Sequence, residues 1–229
     1  MMLYIDCRSG MNADLMLAAL TSLLNDPDDV ARMFTSAGIH ANATVEQGIR
    51  VHITAKEHDH GHVHHGLREI LTYIDSLDIS DRVKDDAKAV FGILGRAEAE
   101  VHNMPPDDVH FHEVGSPENV AAVIGICMLV EKLFPERIVS APICTGFGTV
   151  QCAHGVLPVP PPAAASILKD LPNYAGEVEG EMCTPTGAAL LAHFVSSFGD
   201  PPDSDPKKVG IGLSSKGPSD QRCLRIVEF

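Results

Sequence analysis

The chain has 229 residues and a net charge of −14, with 31 acids against 17 Lys and Arg. That length can bury roughly 70% of the unfolded surface, and that charge disfavours nucleic acid and anionic membranes as partners while favouring cations. The six cysteines (Cys7, Cys127, Cys144, Cys152, Cys183, Cys223) form no CxxC pair, which excludes a zinc ribbon and a disulfide scaffold and reads as reduced thiols. No apolar run reaches the length of a membrane span and the N-terminus enters a strand directly, so a cytoplasmic protein without a signal peptide is expected.

Residues 2–6, MLYID, read as a strand ending on Asp6, and CRSGMNAD leads into a helix marked by Leu15, Leu17, Leu20 and Leu24. A strand, a glycine turn and a helix open an α/β unit. Ligands gather at strand carboxyl ends in such units, so Asp6, Ser9, Gly10 and Asp14 are candidates to surround a phosphate-bound cation. Taken alone, Asp14 is better explained as a cap or charge complement to the helix start. Residues 27–37 predict a second short helix. ANATVEQGIRVHITAKE predicts a hairpin turning at Gln47-Gly48, with Val45, Ile49, Val51 and Ile53 on the buried side.

The tract that follows carries His58, His60, His62, His64 and His65, with Val63 as its single large apolar residue. Such a stretch cannot build a core, so a flexible loop over residues 56–66 is expected, and its imidazoles suit nickel, copper or zinc. Residues 80–102 predict a long helix capped by Ser80 and ending at Asn103. His102, in its last turn, is explained by the helix dipole.

In VHFHEVGSPENVAAVIG an extended backbone places His110 and His112 on one side and Phe111 on the other, a two-tooth chelator followed at once by Glu113. Ser116-Pro117-Glu118 then starts an apolar helix running to about Phe134. A strand near Ile138 and Val139 comes next. Cys152 and His154 share a face if their stretch is extended, and the proline run ends in a short helix through Ile167 and Leu168. Thr184-Pro185-Thr186-Gly187 starts a helix carrying Leu190, Leu191, Phe194 and Phe198, and its hydroxyls and amides suit an anion. CLRIVEF closes the chain as a strand. The fold class expected is α/β: one domain over residues 1–229, with a short-stranded sheet, several packed helices and a mobile His-rich loop.

DCRSGMNAD, the His-rich tract, VHFHEVGSPENVAAVIG, CAHGVLPVP and CTPTGAALL occur in an order and at a spacing that resemble the nickel-insertion proteins for the nickel-pincer cofactor of lactate racemase. The resemblance covers nearly the whole chain, as the N-terminal domain of that family, whose C-terminal domain is absent from it. It implies a cytoplasmic cyclometallase that uses CTP with Mg(2+) or Mn(2+). Its reaction would place Ni(2+) into pyridinium bisthiocarboxylic acid mononucleotide, forming nickel–sulfur and nickel–carbon bonds. Two departures stand out. Ser9-Gly10-Met11-Asn12-Ala13-Asp14-Leu15 replaces the family's SGISGDM, and Glu118 and Ala122 stand where the family commonly has Asp.

On the matched positions, His58 to His65 would collect nickel, and His110, His112, Cys152 and His154 would hold or hand it over. Asp6, Asp14 and Glu113 would orient a cation or accept a proton, and Ser9, Gly10, Thr184, Thr186 and Gly187 would grip nucleotide phosphate. The partners implied are the pincer nucleotide precursor, a separate chain carrying the C-terminal domain, and the apo racemase; the oligomeric state is left open. A non-catalytic nickel buffer or metallochaperone with the same fold is the alternative. A nickel-independent metal hydrolase or nucleotide-binding module is a third reading.

Overall fold

The computed structural model describes residues 1–47, 49–55, 66–152, 155–214 and 222–229. In chain order come β1 (Met2–Asp6), α1 (Ala13–Leu24), α2 (Asp29–Ala37), β2 (Ala41–Glu46), β3 (Arg50–Ala55), α3 (Leu67–Ser76) and α4 (Asp81–His102). Two 3-10 turns, Pro106–Asp108 and Glu113–Gly115, lead to α5 (Pro117–Leu133) and β4 (Arg137–Ser140). Short strands follow: β5 (Ile143–Cys144), β6 (Gly146–Phe147), β7 (Thr149–Cys152) and β8 (Gly155–Pro158). The remaining elements are α6 (Pro162–Leu168), β9 (Asn173–Tyr174), β10 (Gly180–Glu181), α7 (Pro185–Phe194), β11 (Ser197–Phe198), β12 (Lys208–Leu213) and β13 (Cys223–Glu228).

The fold is mixed α/β, with short sheets and several packed helices. Its main sheet has the order β11-β4-β1-β13-β12. β1 pairs parallel with β4 and antiparallel with β13, and β13 pairs antiparallel with β12. Alternation along β1 sends Leu3 and Ile5 into the large core shared with the helices, and Tyr4 into a small second cluster with Val139, Ala141 and Val227. α1 lies so close on β12 that a Cβ on Gly210 or Gly212 would come within 2.1 Å of the carbonyl oxygens of Ala19 and Leu15, respectively. No larger residue fits there without pushing the helix off the sheet. Among the described residues, no helix is long and apolar enough to cross a membrane.

Caps fix the helix ends where the sequence puts them. Ser80 Oγ accepts from Val83 N–H at 3.1 Å, and Asn103 closes α4 in the left-handed region at φ 51°. The β2–β3 hairpin pairs Val45 with Val51 as expected. One boundary differs: the helix expected to carry Phe198 stops at Phe194. Val195 is extended there, and Phe198 joins β11 beside Ser140 of β4. Edge pairing outcompetes a helix across the β-branched and serine residues 195–197. Of the longer elements, α3 and β12 are additions to the sequence reading, as are the two-residue strands β5, β6, β9, β10 and β11. The expected loop over residues 56–66 falls, but for Gly66, outside the described residues.

Candidate functional site

Backbone stitching brings the starts of two helices together. Met11 N–H donates to the Met182 carbonyl at 2.8 Å, and Thr184 N–H donates to the Met11 carbonyl at 3.1 Å. α1 and α7 therefore begin side by side. The approach leaves no room for a side chain at Gly187, where a Cβ would lie 2.3 Å from the Met11 carbonyl oxygen. Each helix is capped by its own residue: Asn12 Oδ1 accepts from Leu15 N–H at 2.8 Å, and Thr184 Oγ1 accepts from Gly187 N–H at 3.2 Å. Ser116 caps α5 in the same way, accepting from Asn119 N–H at 3.2 Å. The Asn119 amide group also donates to the Val114 carbonyl at 2.6 Å, pinning the 3-10 turn that carries Glu113.

These three caps and Pro161, which precedes α6, all line a cleft of about 620 Å³. Four helix N-termini thus converge on one cavity, and their dipoles favour an anion there. The walls differ in chemistry. Asp14, Glu98, Glu113, Glu118 and Glu181 supply carboxylates; Val150, Leu157 and Pro162 supply an apolar side. His102, His112, Cys152 and Arg222 complete the donors and cations. The cavity thus sets anion-favouring helix starts against carboxylates that favour a cation, beside an apolar wall.

The sequence-predicted residues divide between this cleft and its surroundings. Asp14, Glu113, His112, Cys152, Thr184 and Thr186 line it. Gly187 shapes it from behind through the close approach to Met11, and its amide serves the Thr184 cap. Asp6 is not among the lining residues and is engaged by Arg8 through contacts of 2.7 Å to each carboxylate oxygen. The Arg8 hydrogen bond holds the Asp6 carboxyl below the usual carboxylate range. Ser9 is exposed and its carbonyl accepts from Cys223 N–H at 3.2 Å. Gly10, at φ +121°, lies against the stem of the cleft residue Arg222, 3.3 Å from where a Cβ would stand.

Phe111 is buried while His110 and His112 are exposed, but His110 pairs with Gly66 in an isolated bridge and only His112 lines the cleft. β7 ends at Cys152, which pairs with Gly155 of β8. His154, like His58 to His65, lies outside the described residues. Among the described residues, no three His, Cys, Asp or Glu side chains are grouped closely enough to hold a metal ion. Ala122 is fully buried within α5, so the acid this helix offers to the cleft is Glu118.

Sequence reasoning missed Glu98, Glu181 and Arg222, and assigned His102 to the dipole alone. The Glu98–His102 spacing of four on a helix was a readable signal. Arg222 carried none, since only the β13 connection brings it over Gly10.

The family model described as nickel insertion protein matches residues 3–228. The chain belongs to that family. Similar relatives are pyridinium-3,5-bisthiocarboxylic acid mononucleotide nickel insertion proteins. That of Staphylococcus epidermidis is 37% identical over 235 residues, covering 99% of this chain and 59% of the relative. Those of Desulfitobacterium hafniense and Clostridium kluyveri are 35% and 32% identical, covering 97% and 98% of this chain and 57% and 61% of the relatives. This nickel insertion family member therefore spans about three fifths of the length of the curated relatives it matches. No solved structure matches it significantly.

Proposed function

We propose that this chain carries the nickel-gathering and nickel-inserting site for pyridinium bisthiocarboxylic acid mononucleotide. Membership of the family and the function its relatives are named for support the substrate class. The observation that carries the reading is how the His-rich tract is tethered. At its near end, Ala55 N–H donates to Glu118 Oε1 at 3.1 Å. At its far end, Gly66 pairs with His110, and Leu67 N–H donates to the Val109 carbonyl at 3.3 Å. Both ends are fastened to the stretch from Val109 to Glu118, which also supplies His112 and Glu113 to the cleft.

In this reading His58, His60, His62, His64 and His65 collect nickel, and loose coordination lets it exchange. His112, with Cys152, His110 and His154, receives it. The helix N-termini would hold the mononucleotide phosphate, with Thr184 and Thr186 at the α7 start, and Asp14 or Glu113 would hold a divalent cation that supplies positive charge to that phosphate. Ser9, Gly10 and Asp6 shape the neighbouring turn. CTP with Mg(2+) or Mn(2+) is the co-substrate, and the apo racemase receives the product.

The test is nickel transfer to the precursor, read by product mass and spectrum, for the unmodified chain, a His110→Ala/His112→Ala variant and a chain lacking residues 58–65. The double variant should lose product while keeping nickel bound to the tract; unchanged affinity and loading would sink the central role. A nickel buffer of the same fold is favoured by one observation, the lack of a three-donor cluster among the described residues. Several weakly bound nickel ions, all lost with residues 58–65 and never followed by product when the remaining family length is added in trans, would establish that alternative.

A further inference from the structure

We propose that His102, paired with Glu98, is the proton acceptor when nickel replaces hydrogen on the pyridinium ring, an assignment that rests on the function proposed above. Both side chains line the cleft, one helical turn apart on the last turns of α4, with His102 Nε2 3.5 Å from Glu98 Oε2. Glu98 is largely covered, its side chain 16% exposed, while that of His102 is 36% exposed and accessible from the cleft.

Nickel–carbon bond formation needs a base. The ring C–H bond breaks, its electron pair becomes the nickel–carbon bond, and the proton must leave to a group within reach. His102 is suited to take it. It stands at the C-terminal end of a 22-residue helix, where positive charge is favoured, and its carboxylate neighbour complements the imidazolium once formed.

The other cleft groups are placed differently. His112, proposed above as a metal donor, stands shortly before the start of α5, at the opposite kind of helix end from His102. Asp14 and Glu118 are in first turns of helices, where their negative charge is favoured, Glu113 opens the 3-10 turn just ahead of α5, and the Arg222 guanidinium donates to the Glu181 carbonyl. The cleft therefore separates a metal-donor histidine at a helix start from a base histidine at a helix end.

The experiment uses the full chain with the precursor protiated or deuterated at the carbon between the two thiocarboxylates, Ni(2+), CTP and Mg(2+). Insertion rate, precursor affinity and ring hydrogen exchange into D2O are all read. His102→Gln should bind precursor and nickel within about twofold of the unmodified chain and slow insertion or exchange about 100-fold, with an enlarged isotope effect. Glu98→Gln should slow the same step about tenfold. Insertion or exchange unchanged in His102→Gln overturns the assignment, as does a parallel loss of precursor affinity, and as does precursor binding in the unmodified chain without either process. Failure of the unmodified chain to bind precursor at all overturns the functional reading itself.

Discussion

Asp6 shows how a single ion pair sets a pH response. Arg8 holds its carboxyl below the ordinary range, so the stabilisation is present above about pH 4 and is lost as pH falls through the lowered value. Arg8 is well exposed, which limits the pair to about 0.5–1 kcal/mol. Urea melts of Asp6→Asn should show that loss at pH 7 and converge with the parent as the pH falls below the ordinary carboxylate range. The thiols divide by burial in the same manner. Burial pushes Cys7 up to about 11 and raises Cys127 and Cys183 well above the usual thiol range, while Cys152 and Cys223 are partly exposed. Iodoacetamide at about pH 8, followed by peptide mass mapping, should label Cys152 and Cys223 first and reach the other four, Cys144 among them, only on unfolding.

At the scale of elements, the cleft depends on the contact between the starts of α1 and α7. Gly187→Ala forces a Cβ against the Met11 carbonyl and should cost about 2 kcal/mol, with weaker precursor binding measured by calorimetry. Thr184→Ala removes only a cap and should cost about 1 kcal/mol in the same thermal or urea melt. Elements with strong local signals are legible in the sequence by itself: the caps at Ser80, Ser116 and Thr184, the apolar stripe of α4, and the hairpin at Gln47. β12 is not, because Gly210 and Gly212 interrupt its apolar alternation, and their reason for being glycine is a helix nearly 190 residues earlier. α3 is hidden by its neighbour, the histidine tract, although Leu67, Ile70 and Ile74 carry a helical period. Of the site, the motif residues on helix starts are readable one by one. Their meeting in a single cleft is not, since nothing local joins Met11 to Met182.

The whole molecule has one large core running from the β1 face of the sheet through α1, α4, α5 and α7. Far- and near-ultraviolet circular dichroism should therefore report coincident thermal unfolding, and two separated transitions would contradict a shared core. β1 is central in its sheet, yet one of its two partners is β13, pairing Tyr4 with Val227 and Ile5 with Ile226. During synthesis the first strand must wait, with one edge open, until residues 223–228 leave the ribosome. α1, resting on Gly210 and Gly212, waits almost as long. Ala55 and Gly66, which bound the histidine tract, are made early, whereas the cleft closes only once Arg222 and the strand after it have been translated, so on the function proposed above nickel would meet the tract before the cleft that is to receive it has formed.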